Sequence, residues 1–332
     1  MSETNLKVVL DSRPAGRVEP ANFRFVEEAV PEPAEGQVLI RVRWLSLDPY
    51  MRGRMNEARS YAARVELGET MVGGTVGEIV SSRHPGFDAG EKVLGTQGWQ
   101  RFALSDGKGL VKIPDPRLPE TVWLGAAGMP GITAWMGLTQ ICTPRPGETV
   151  VVSAASGAVG SAAGQLARLA GCRAVGIAGG PAKCDYAVKE LGFDACIDYK
   201  ADGLDAALRA AAPTGVDAYF DNVGGEILDA VLRRVNTGAR IALCGLIAGY
   251  EGKDIPIRNV FSLLVNRVRL QGFIVSDRMD LWPGAMRELA GHVAAGRLKY
   301  RETVAEGLES APGAFIGLLK GENFGKQLVR VD

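Results

Sequence analysis

A run of small residues near the middle of the chain has the spacing to hold a phosphate. Residues 150–164 read VVVSAASGAVGSAAG, with Gly157 and Gly160 three residues apart and Gly164 one helical turn later. Gly157 would let the backbone turn, Gly160 would let it approach a pyrophosphate, and a helix beginning here would point free N–H groups at that anion. Ala155 replaces the first glycine of G-x-G-x-x-G, so close packing of strand and helix is the alternative. The predicted phosphate contacts are Gly157, Ala158, Val159 and Gly160.

The end of the next apolar segment distinguishes between two dinucleotides. In NAD-binding proteins this strand ends in an acidic residue that accepts hydrogen bonds from the ribose. Here it ends GIAGGPAKC, with Gly179 and Gly180 at the neutral position and Lys183 just beyond. A cation there favours a 2′-phosphate, so the predicted cofactor is NADPH. The alternative is a solvated lysine in the first turn of a helix, where a cation without an anionic partner is mildly unfavourable.

Metal chemistry has little support in the sequence. A catalytic zinc needs about three Cys, His or carboxylate ligands, and the chain has only two histidines, His84 and His292. The five cysteines lie beyond residue 140 and include no C-x-x-C pair, which disfavours a zinc ribbon and a disulfide framework. We therefore expect no metal, a reducing cytoplasmic location, and histidines that serve as surface or capping residues.

The elements that must position these residues follow two different patterns. The first 120 residues contain short strands separated by turn signals such as PEPAEG and HPGFDAG. After residue 145, apolar strands alternate with helices rich in alanine and leucine, which is typical of βαβ units on a parallel sheet. Strands are predicted at 148–155, 173–179, 195–199, 216–223, 239–245 and 268–275. Helices are predicted at 159–170, 183–191, 203–212, 225–235, 258–266 and 282–295.

The predicted fold class is α/β, with a β-rich domain beside a doubly wound parallel sheet of the Rossmann type. The tail after residue 299 reads as strand, helix and strand and is expected to return to the N-terminal domain. The predicted domains are therefore residues 1–125 completed by 299–332, and residues 126–298.

Charge and hydropathy exclude several classes of partner. Lys plus Arg and Asp plus Glu both number 38, so no excess charge attracts nucleic acid or an anionic membrane. The N-terminal stretch is polar and lacks the apolar core of a secretory signal. The uncharged stretch 121–144 is long enough to span a bilayer, but Pro130 and Gly131 would break a spanning helix, so we expect a buried helix. A small-molecule substrate is the predicted partner.

Six blocks resemble one family. In chain order, LSLDPYMRGRM, GMPGITAWMGL, AASGAVGS, AGGPAKC, FDNVGG and ENFGKQLV look like the metal-independent branch of the medium-chain dehydrogenase/reductase superfamily. That branch includes the leukotriene and prostaglandin reductases and the curcumin and alkenal double-bond reductases. The resemblance covers nearly the whole chain. It implies a GroES-like β-rich catalytic domain, NADPH-dependent reduction of enals or enones in the cleft between the domains, and a homodimer joined through the edge strand VRLQGFIV.

Reduction of an enone without a metal requires hydrogen-bond donors. Hydride adds to the β-carbon, negative charge develops on the carbonyl oxygen, and the α-carbon takes a proton from solvent or a hydroxyl. Tyr50, expected at the end of a β-domain strand, and Tyr250, expected after the fifth strand of the parallel sheet, are the candidate catalytic residues. The resemblance implies that Tyr50 faces the cleft and that Tyr250 lies by the nicotinamide and its ribose. Each could instead be a packing tyrosine.

The resemblance also implies further cofactor contacts. Lys183 and Tyr199 would hold the 2′-phosphate and adenosine end. The nicotinamide half would be lined by Asn222, Cys244, Phe273, Val275 and Asn323, with Met129, Pro130 and Thr133 beneath it. Phe273 and Val275 could also be ordinary strand residues, and Cys244 is expected to be buried and unreactive.

Three questions stay open at this point. The chain could reduce quinones rather than enones, or bind NADPH without turnover as a sensor. GGPAKC has a proline where an acidic or polar residue is common in the resembled family. The segment after Tyr50 is rich in arginine, and this set either forms a solvated face or favours an acidic substrate: Arg52, Arg54, Arg59 and Arg64.

Overall fold

The computed structural model describes residues 3–58 and 60–331 and contains two compact units. The first unit runs to Leu124 and resumes at Glu302, and the second is Gly125–Arg301. The predicted domain limits, after residue 125 and after residue 298, lie close to these positions.

The N-terminal part of the first unit consists mainly of strands, as the turn signals predicted. In chain order its elements are β1 (Thr4–Leu10), β2 (Phe23–Ala29), β3 (Val38–Ser46), α1 (Tyr50–Arg54), β4 (Thr75–Ser82), β5 (Lys92–Gly95), β6 (Phe102–Ser105) and β7 (Val111–Lys112).

The second unit alternates strands and helices, and every predicted strand and helix of this region has a counterpart. Its elements are α2 (Met129–Met136), a π-helical turn (Gly137–Cys142), β8 (Thr149–Ser153), α3 (Ala158–Leu169), β9 (Arg173–Ala178), α4 (Pro181–Lys189), β10 (Ala195–Asp198), α5 (Leu204–Ala211), β11 (Val216–Asp221), α6 (Gly225–Leu232), β12 (Val235–Leu243), α7 (Val260–Val265), β13 (Arg269–Gly272) and α8 (Trp282–Ala294).

The six strands of the second unit form one parallel sheet, in the order β10-β9-β8-β11-β12-β13. This is the order 3-2-1-4-5-6 of the doubly wound fold, so the predicted fold class is confirmed. All five residues of β8 are buried, because a parallel sheet with helices on both faces needs apolar side chains on both sides. The order reverses between β8 and β11, and ligands of such sheets bind outside the carboxyl ends of the strands at this point.

The last strand of this sheet is shorter than predicted. β13 lies at the edge, as expected, but it ends at Gly272 instead of residue 275. Phe273 follows the strand, and its ring packs edge-on against Phe220, with ring centroids 6.3 Å apart. Val275 begins a 3₁₀ turn that continues to Leu281. Phe273 and Val275 are therefore not strand residues.

The tail returns to the first unit as β14 (Glu302–Glu306), α9 (Ala311–Leu319) and β15 (Lys326–Arg330). The larger sheet of this unit has the order β14-β15-β3-β4-β5-β7, and β6 also pairs with β3. Its core is aromatic at the centre: the Trp99 ring stacks on Phe23 at 5.5 Å and meets Phe315 edge-on at 5.7 Å. The C-terminal strand thus lies inside the sheet rather than beside it.

The uncharged stretch 121–144 is divided into short pieces. A 3₁₀ turn at Glu120–Leu124 is followed by α2 and the π-helical turn. Among residues 3–58 and 60–331, no helix combines the length and apolar character needed to cross a bilayer.

Candidate active site

The glycine run connects β8 to α3. Gly157 is the N-cap of α3 with φ −80°, and the left-handed residue of the turn is Ala154, with φ +49°. A Cβ atom on Gly160 would lie 2.3 Å from the Ala154 carbonyl oxygen. Glycine at 160 therefore lets α3 start close against the end of β8. The first turn of this helix, with Ala158 and Val159, has N–H groups without intrahelical acceptors, as an anion site requires.

The structural role of Gly164 differs from that of Gly157 and Gly160. A Cβ atom here would lie 1.8 Å from Cζ of Phe193, a buried ring in the loop that leads to β10. This glycine fixes the packing of α3 and does not contribute to the phosphate loop.

The carboxyl ends of β9 and β10 bring two lysines together. Gly180, with φ +97°, is the N-cap of α4, and Lys183 lies in the first turn of that helix. Burial, and secondarily the neighbouring charge of Lys200, lower the pKa of Lys183. Lys200 follows Tyr199 beyond β10, and both side chains reach Gly179, where a Cβ atom would lie 3.1 Å from the lysine Cε and 3.0 Å from the tyrosine ring.

One acidic residue beside Lys200, Asp198, is already bonded to the backbone. Asp198 Oδ1 accepts hydrogen bonds from the N–H groups of Gly180, at 2.7 Å, and Lys200, at 3.0 Å. These two bonds lower the pKa of Asp198. The carboxylate therefore organises the turn around Gly180. The contribution of Lys200 was missed from the sequence, where only its neighbour Tyr199 was singled out.

The carboxyl ends of β8 and β11 are joined by Asn222. Its side-chain amide donates to the Ser153 carbonyl oxygen at 2.7 Å, and its backbone N–H donates to Ser153 Oγ at 2.8 Å. Cys244 follows β12 and donates its backbone N–H to the Asp221 carbonyl oxygen at 2.8 Å. Cys244 is half-buried, so the expectation of a buried residue is wrong. Desolvation still raises the pKa of its thiol to about 12.

A buried aspartate organises this strand end and was not predicted. Asp221 Oδ1 accepts hydrogen bonds from the Tyr219 hydroxyl (2.8 Å), Ser153 Oγ (3.0 Å) and the N–H groups of Val223 (2.9 Å) and Gly224 (3.0 Å). Burial raises the pKa of Asp221. Its position at the end of an apolar strand, VDAYFD, was the only available signal.

Tyr250 follows β12 through a 3₁₀ turn at Ile247–Gly249, close to where it was predicted. Its hydroxyl oxygen lies 3.5 Å from the backbone N of Leu246 and 3.4 Å from the position of a Cβ atom on Gly245. That same Gly245 position is 3.3 Å from the Asn222 carbonyl oxygen. The structure therefore brings Tyr250 and Asn222 to one strand end.

The other predicted residues of the second unit lie on or against α2. Thr133 donates its hydroxyl to the Met129 carbonyl oxygen at 2.7 Å, and Pro130 is buried in the first turn of the helix. The Phe273 ring lies against Gly137, at the end of α2. The Val275 carbonyl oxygen accepts from Trp282 Nε1 at 3.0 Å.

Two predicted residues belong to the first unit. Tyr50 is the first residue of α1, four residues after β3 ends, so its predicted place at a strand end is wrong. Pro49 directly precedes it and is the N-cap of the helix, since proline suits helix starts rather than strand interiors. Burial, and then the nearby Asp48 carboxylate, raise the pKa of the Tyr50 phenol. Asn323 donates its side-chain amide to the Gly325 carbonyl oxygen at 2.8 Å.

The arginines after Tyr50 do not share one environment. Arg52 is buried and donates to the Gly16 carbonyl oxygen at 2.7 Å, whereas Arg64 is exposed and pairs with Glu66 at 2.7 Å. Arg54 Nε is buried without a hydrogen-bond partner in the described part of the chain. Arg59 lies outside the described residues. The interpretation of these arginines as one solvated face is therefore wrong for Arg52.

The histidines have local roles. His84 Nδ1 accepts from the Gly86 N–H at 2.9 Å, and His292 Nδ1 accepts from Arg297 Nε at 3.0 Å. Within residues 3–58 and 60–331, no three His, Cys, Asp or Glu side chains form a group that could hold a metal ion.

Comparisons with known proteins match both units. A family described as the N-terminal domain of oxidoreductase matches residues 7–113, and one described as zinc-binding dehydrogenase matches residues 158–291. The second description includes zinc, but the described residues of this chain do not provide its ligand set.

Individual relatives match nearly the whole chain. The NADPH-dependent curcumin reductase of Escherichia coli is 48% identical over 99% of this chain and 97% of its own length. The NADP-dependent 2-alkenal reductase of Nicotiana tabacum is 39% identical over 99% and 98%. The crystal structure of CurA in complex with NADPH from Vibrio vulnificus has a TM-score of 0.94 at 46% identity, covering 98% of this chain and 99% of that one. The chain therefore belongs to the medium-chain dehydrogenase/reductase family, together with the curcumin and alkenal reductases.

Proposed function

We propose that this chain is an NADPH-dependent reductase of carbon–carbon double bonds conjugated to a carbonyl group, with enals and enones as substrates. The observation that carries the proposal is the pair of lysines, Lys183 and Lys200, at the carboxyl ends of β9 and β10. Two cations beside a strand end whose Asp198 carboxylate is bonded to the backbone suit a 2′-phosphate. Relatives named curcumin reductase and 2-alkenal reductase support the same chemistry.

The residues that would hold NADPH fall into three groups. The pyrophosphate would lie at the first turn of α3, where Gly160 lets the helix start close against β8 and the N–H groups have no intrahelical acceptors. Lys183, Lys200 and Tyr199, with Gly180, would hold the 2′-phosphate and adenosine end. The remaining contacts, at the nicotinamide half, would come from Met129, Pro130, Thr133, Asn222, Cys244, Tyr250, Phe273, Val275 and Asn323.

Reduction requires stabilisation of a developing negative charge. NADPH supplies the hydride, which is added to the β-carbon of the substrate. Negative charge then develops on the carbonyl oxygen, where aligned hydrogen-bond donors lower the barrier. Tyr50 suits this task because a tyrosine phenol is a neutral hydrogen-bond donor at physiological pH. Burial and Asp48 hold its pKa above the ordinary value. Tyr250, at the end of β12, is the second donor, and the α-carbon takes its proton from solvent or a hydroxyl.

We also propose that two copies of the chain pair through the second unit. β13 is an edge strand, and three of its four residues are exposed. The preceding helix α7 presents Val260, Phe261 and Leu264, which are 60%, 72% and 74% exposed. Large apolar side chains next to a free strand edge suit a two-fold interface in which β13 pairs with its own copy.

The remaining proposals concern the cellular compartment and the binding partners. All five cysteines are free thiols, which supports a reducing compartment, and we infer the cytoplasm. The balanced charge supports a small-molecule substrate and gives no support for a nucleic-acid or membrane partner.

The proposal is tested by turnover. Purified protein is mixed with NADPH or NADH and with an enal, an enone or a quinone, and nicotinamide absorbance and the organic product are followed. We expect faster consumption of NADPH than of NADH, with the saturated carbonyl compound as product. In Tyr250→Phe, kcat should fall about 100-fold if the hydroxyl stabilises the developing oxyanion.

The matched control is Tyr186→Phe on α4, because this change keeps the ring that lies against Arg301 and should leave kcat unchanged. Faster turnover of quinones than of enones would identify a quinone reductase instead. Binding of NADPH without reduction of any acceptor would rule out the enzyme and indicate a sensor.

A further inference from the structure

One lysine of the first unit has a buried, charged ammonium group. Lys326, the first residue of β15, is 3% exposed. Its ammonium group donates to the carbonyl oxygen of Leu47 at 2.7 Å, to Asp48 Oδ1 at 3.0 Å and to the carbonyl oxygen of Gln327 at 3.0 Å. All three donors of the ammonium are therefore used. Burying an ammonium group costs free energy unless its charge is paired, and the Asp48 carboxylate provides the paired charge.

These contacts attach one short segment to the C-terminal strand. Leu47 and Asp48 lie between the end of β3 and the start of α1. The Leu47 N–H donates to the Gln327 carbonyl oxygen at 3.1 Å, so this segment is bonded to β15 through both backbone and side chain. The Ser46 hydroxyl also donates to Asp48.

The segment leads directly into the helix that carries Tyr50. The Asp48 carbonyl oxygen accepts from the Met51 N–H at 3.1 Å, which is the first turn of α1. The position of Asp48 therefore sets where the helix begins, and Tyr50 follows two residues later. A displacement of about 1 Å in a catalytic group can lower the rate about 100-fold.

A second acidic group adjoins the pair. Glu302 on β14 is the register partner of Lys326 on β15. Burial raises the pKa of Glu302, and burial lowers that of Lys326 against the opposing effect of Asp48 and Glu302. The lysine is thus the cation of a buried cluster that contains two carboxyl groups.

We propose that Lys326 is a positioning residue for Tyr50: its ammonium group holds Leu47 and Asp48 on β15 and so fixes the start of α1 and the site of the Tyr50 hydroxyl. The proposal rests on the function given to Tyr50 above. Lys326 would therefore affect the reaction rate through the position of Tyr50 and not through contact with substrate or cofactor.

The first test separates position from stability. Lys326→Met or Asp48→Asn alone leaves a buried charge unpaired and should lower the melting temperature. The double variant removes both members of the Lys326–Asp48 pair and should recover it, because Glu302 is half-buried and its raised pKa favours the neutral carboxyl group. We expect kcat of the recovered double variant to stay about tenfold or more below wild type, with an unchanged KM for NADPH. Recovery of kcat together with the melting temperature would overturn the proposal. Lys320→Met, an exposed lysine just after α9, is the control and should match wild type.

The second test asks whether Lys326 acts through Tyr50. The same double change is made in a Tyr50→Phe background, where it should lower kcat no further, because the group it positions is already gone. An equal fold-loss of kcat in both backgrounds would contradict the proposal. If Tyr50→Phe leaves kcat at the wild-type value, the function of Tyr50 and the positioning proposal are both wrong. NADPH-dependent turnover by the wild type would still stand in that case.

Discussion

Lys183 and Lys200 share one neighbourhood although the chain places them 17 positions apart. Parallel pairing of β9 with β10 brings the two strand ends side by side, with Ala195 opposite Val175 and Asp198 opposite Ala178. The two positive charges repel, and this repulsion adds to the effect of burial on the pKa of Lys183. An anion between them would relieve the repulsion, so the preference for NADPH should depend on both lysines.

Cofactor preference is therefore predicted to change in the variants Lys183→Ala and Lys200→Ala. Each should raise KM for NADPH by about tenfold or more, since a hydrogen bond to a charged group contributes about 1.5–3 kcal/mol, and should leave KM for NADH nearly unchanged. The measurement is kcat/KM with each dinucleotide at a fixed enone concentration.

Lys189→Ala is the control for these variants, because Lys189 lies at the other end of α4 and pairs with Asp185. The pH dependence gives a second readout. With the pKa of Lys183 lowered, kcat/KM for NADPH should fall on the alkaline side at a lower pH than an ordinary lysine would give, and Lys183→Ala should remove that fall. An equal loss of NADH and NADPH turnover would mean that the lysines support folding rather than phosphate recognition.

At the scale of the elements, helix α3 is fixed at two points. Gly160 allows its first turn to pack against the end of β8, and Gly164 allows its next turn to pack against Phe193. The turn proposed to bind phosphate is held in place by this packing, so its geometry depends on residues that would not touch the cofactor.

Gly164→Ala is predicted to destabilise the protein. Alanine favours a helix by about 1 kcal/mol over glycine, but its Cβ would overlap the Phe193 ring, and overpacking of a buried site costs about 1–3 kcal/mol. Scanning calorimetry should show a lower melting temperature.

Gly291→Ala is the matched control, because Gly291 also lies inside a helix, α8, and a Cβ atom there meets nothing within 4 Å. That variant should melt at the wild-type temperature or slightly above it. Equal melting temperatures for the two variants would show that Phe193 moves aside and that the close contact does not matter.

At the scale of the whole molecule, the second unit has exposed apolar side chains on α7 and, next in the chain, the edge strand β13. Phe261→Glu and Leu264→Glu should each convert a dimer to a monomer, because a buried carboxylate without a partner is strongly unfavourable at an interface. Light scattering after size exclusion gives the mass of the particle.

The control substitution is Leu67→Glu, a side chain 56% exposed on the first unit, which should leave the mass unchanged. A wild-type protein with the mass of a single chain would refute the proposed pairing.

Local patterns predicted much of this architecture. The alternation of apolar strands with alanine-rich helices was enough to predict the doubly wound sheet. The spacing of apolar residues in each strand or helix indicates which of its faces is buried. Tyr250 was expected after a strand of that sheet, and the structure places it there. Asn222 and Cys244 were named from the family resemblance and not from a local pattern. Lys200 and Lys326 were missed because their contacts join segments distant in the chain. Asp221 was missed because a charged residue in isolation looks like a solvated one. Tyr50 was misplaced because its helix has only five residues.

The position of β15 has a consequence for the order of synthesis. This strand lies between β14 and β3, and 278 positions separate Lys326 from Asp48. A ribosome adds about 5–20 residues per second, so roughly 15 to 60 seconds pass between the synthesis of β3 and the synthesis of β15. The second unit is complete in the nascent chain before the first can close its sheet. During that interval the unpaired edge of β3 is open to other chains, so we expect the incomplete first unit to aggregate more readily than the finished one.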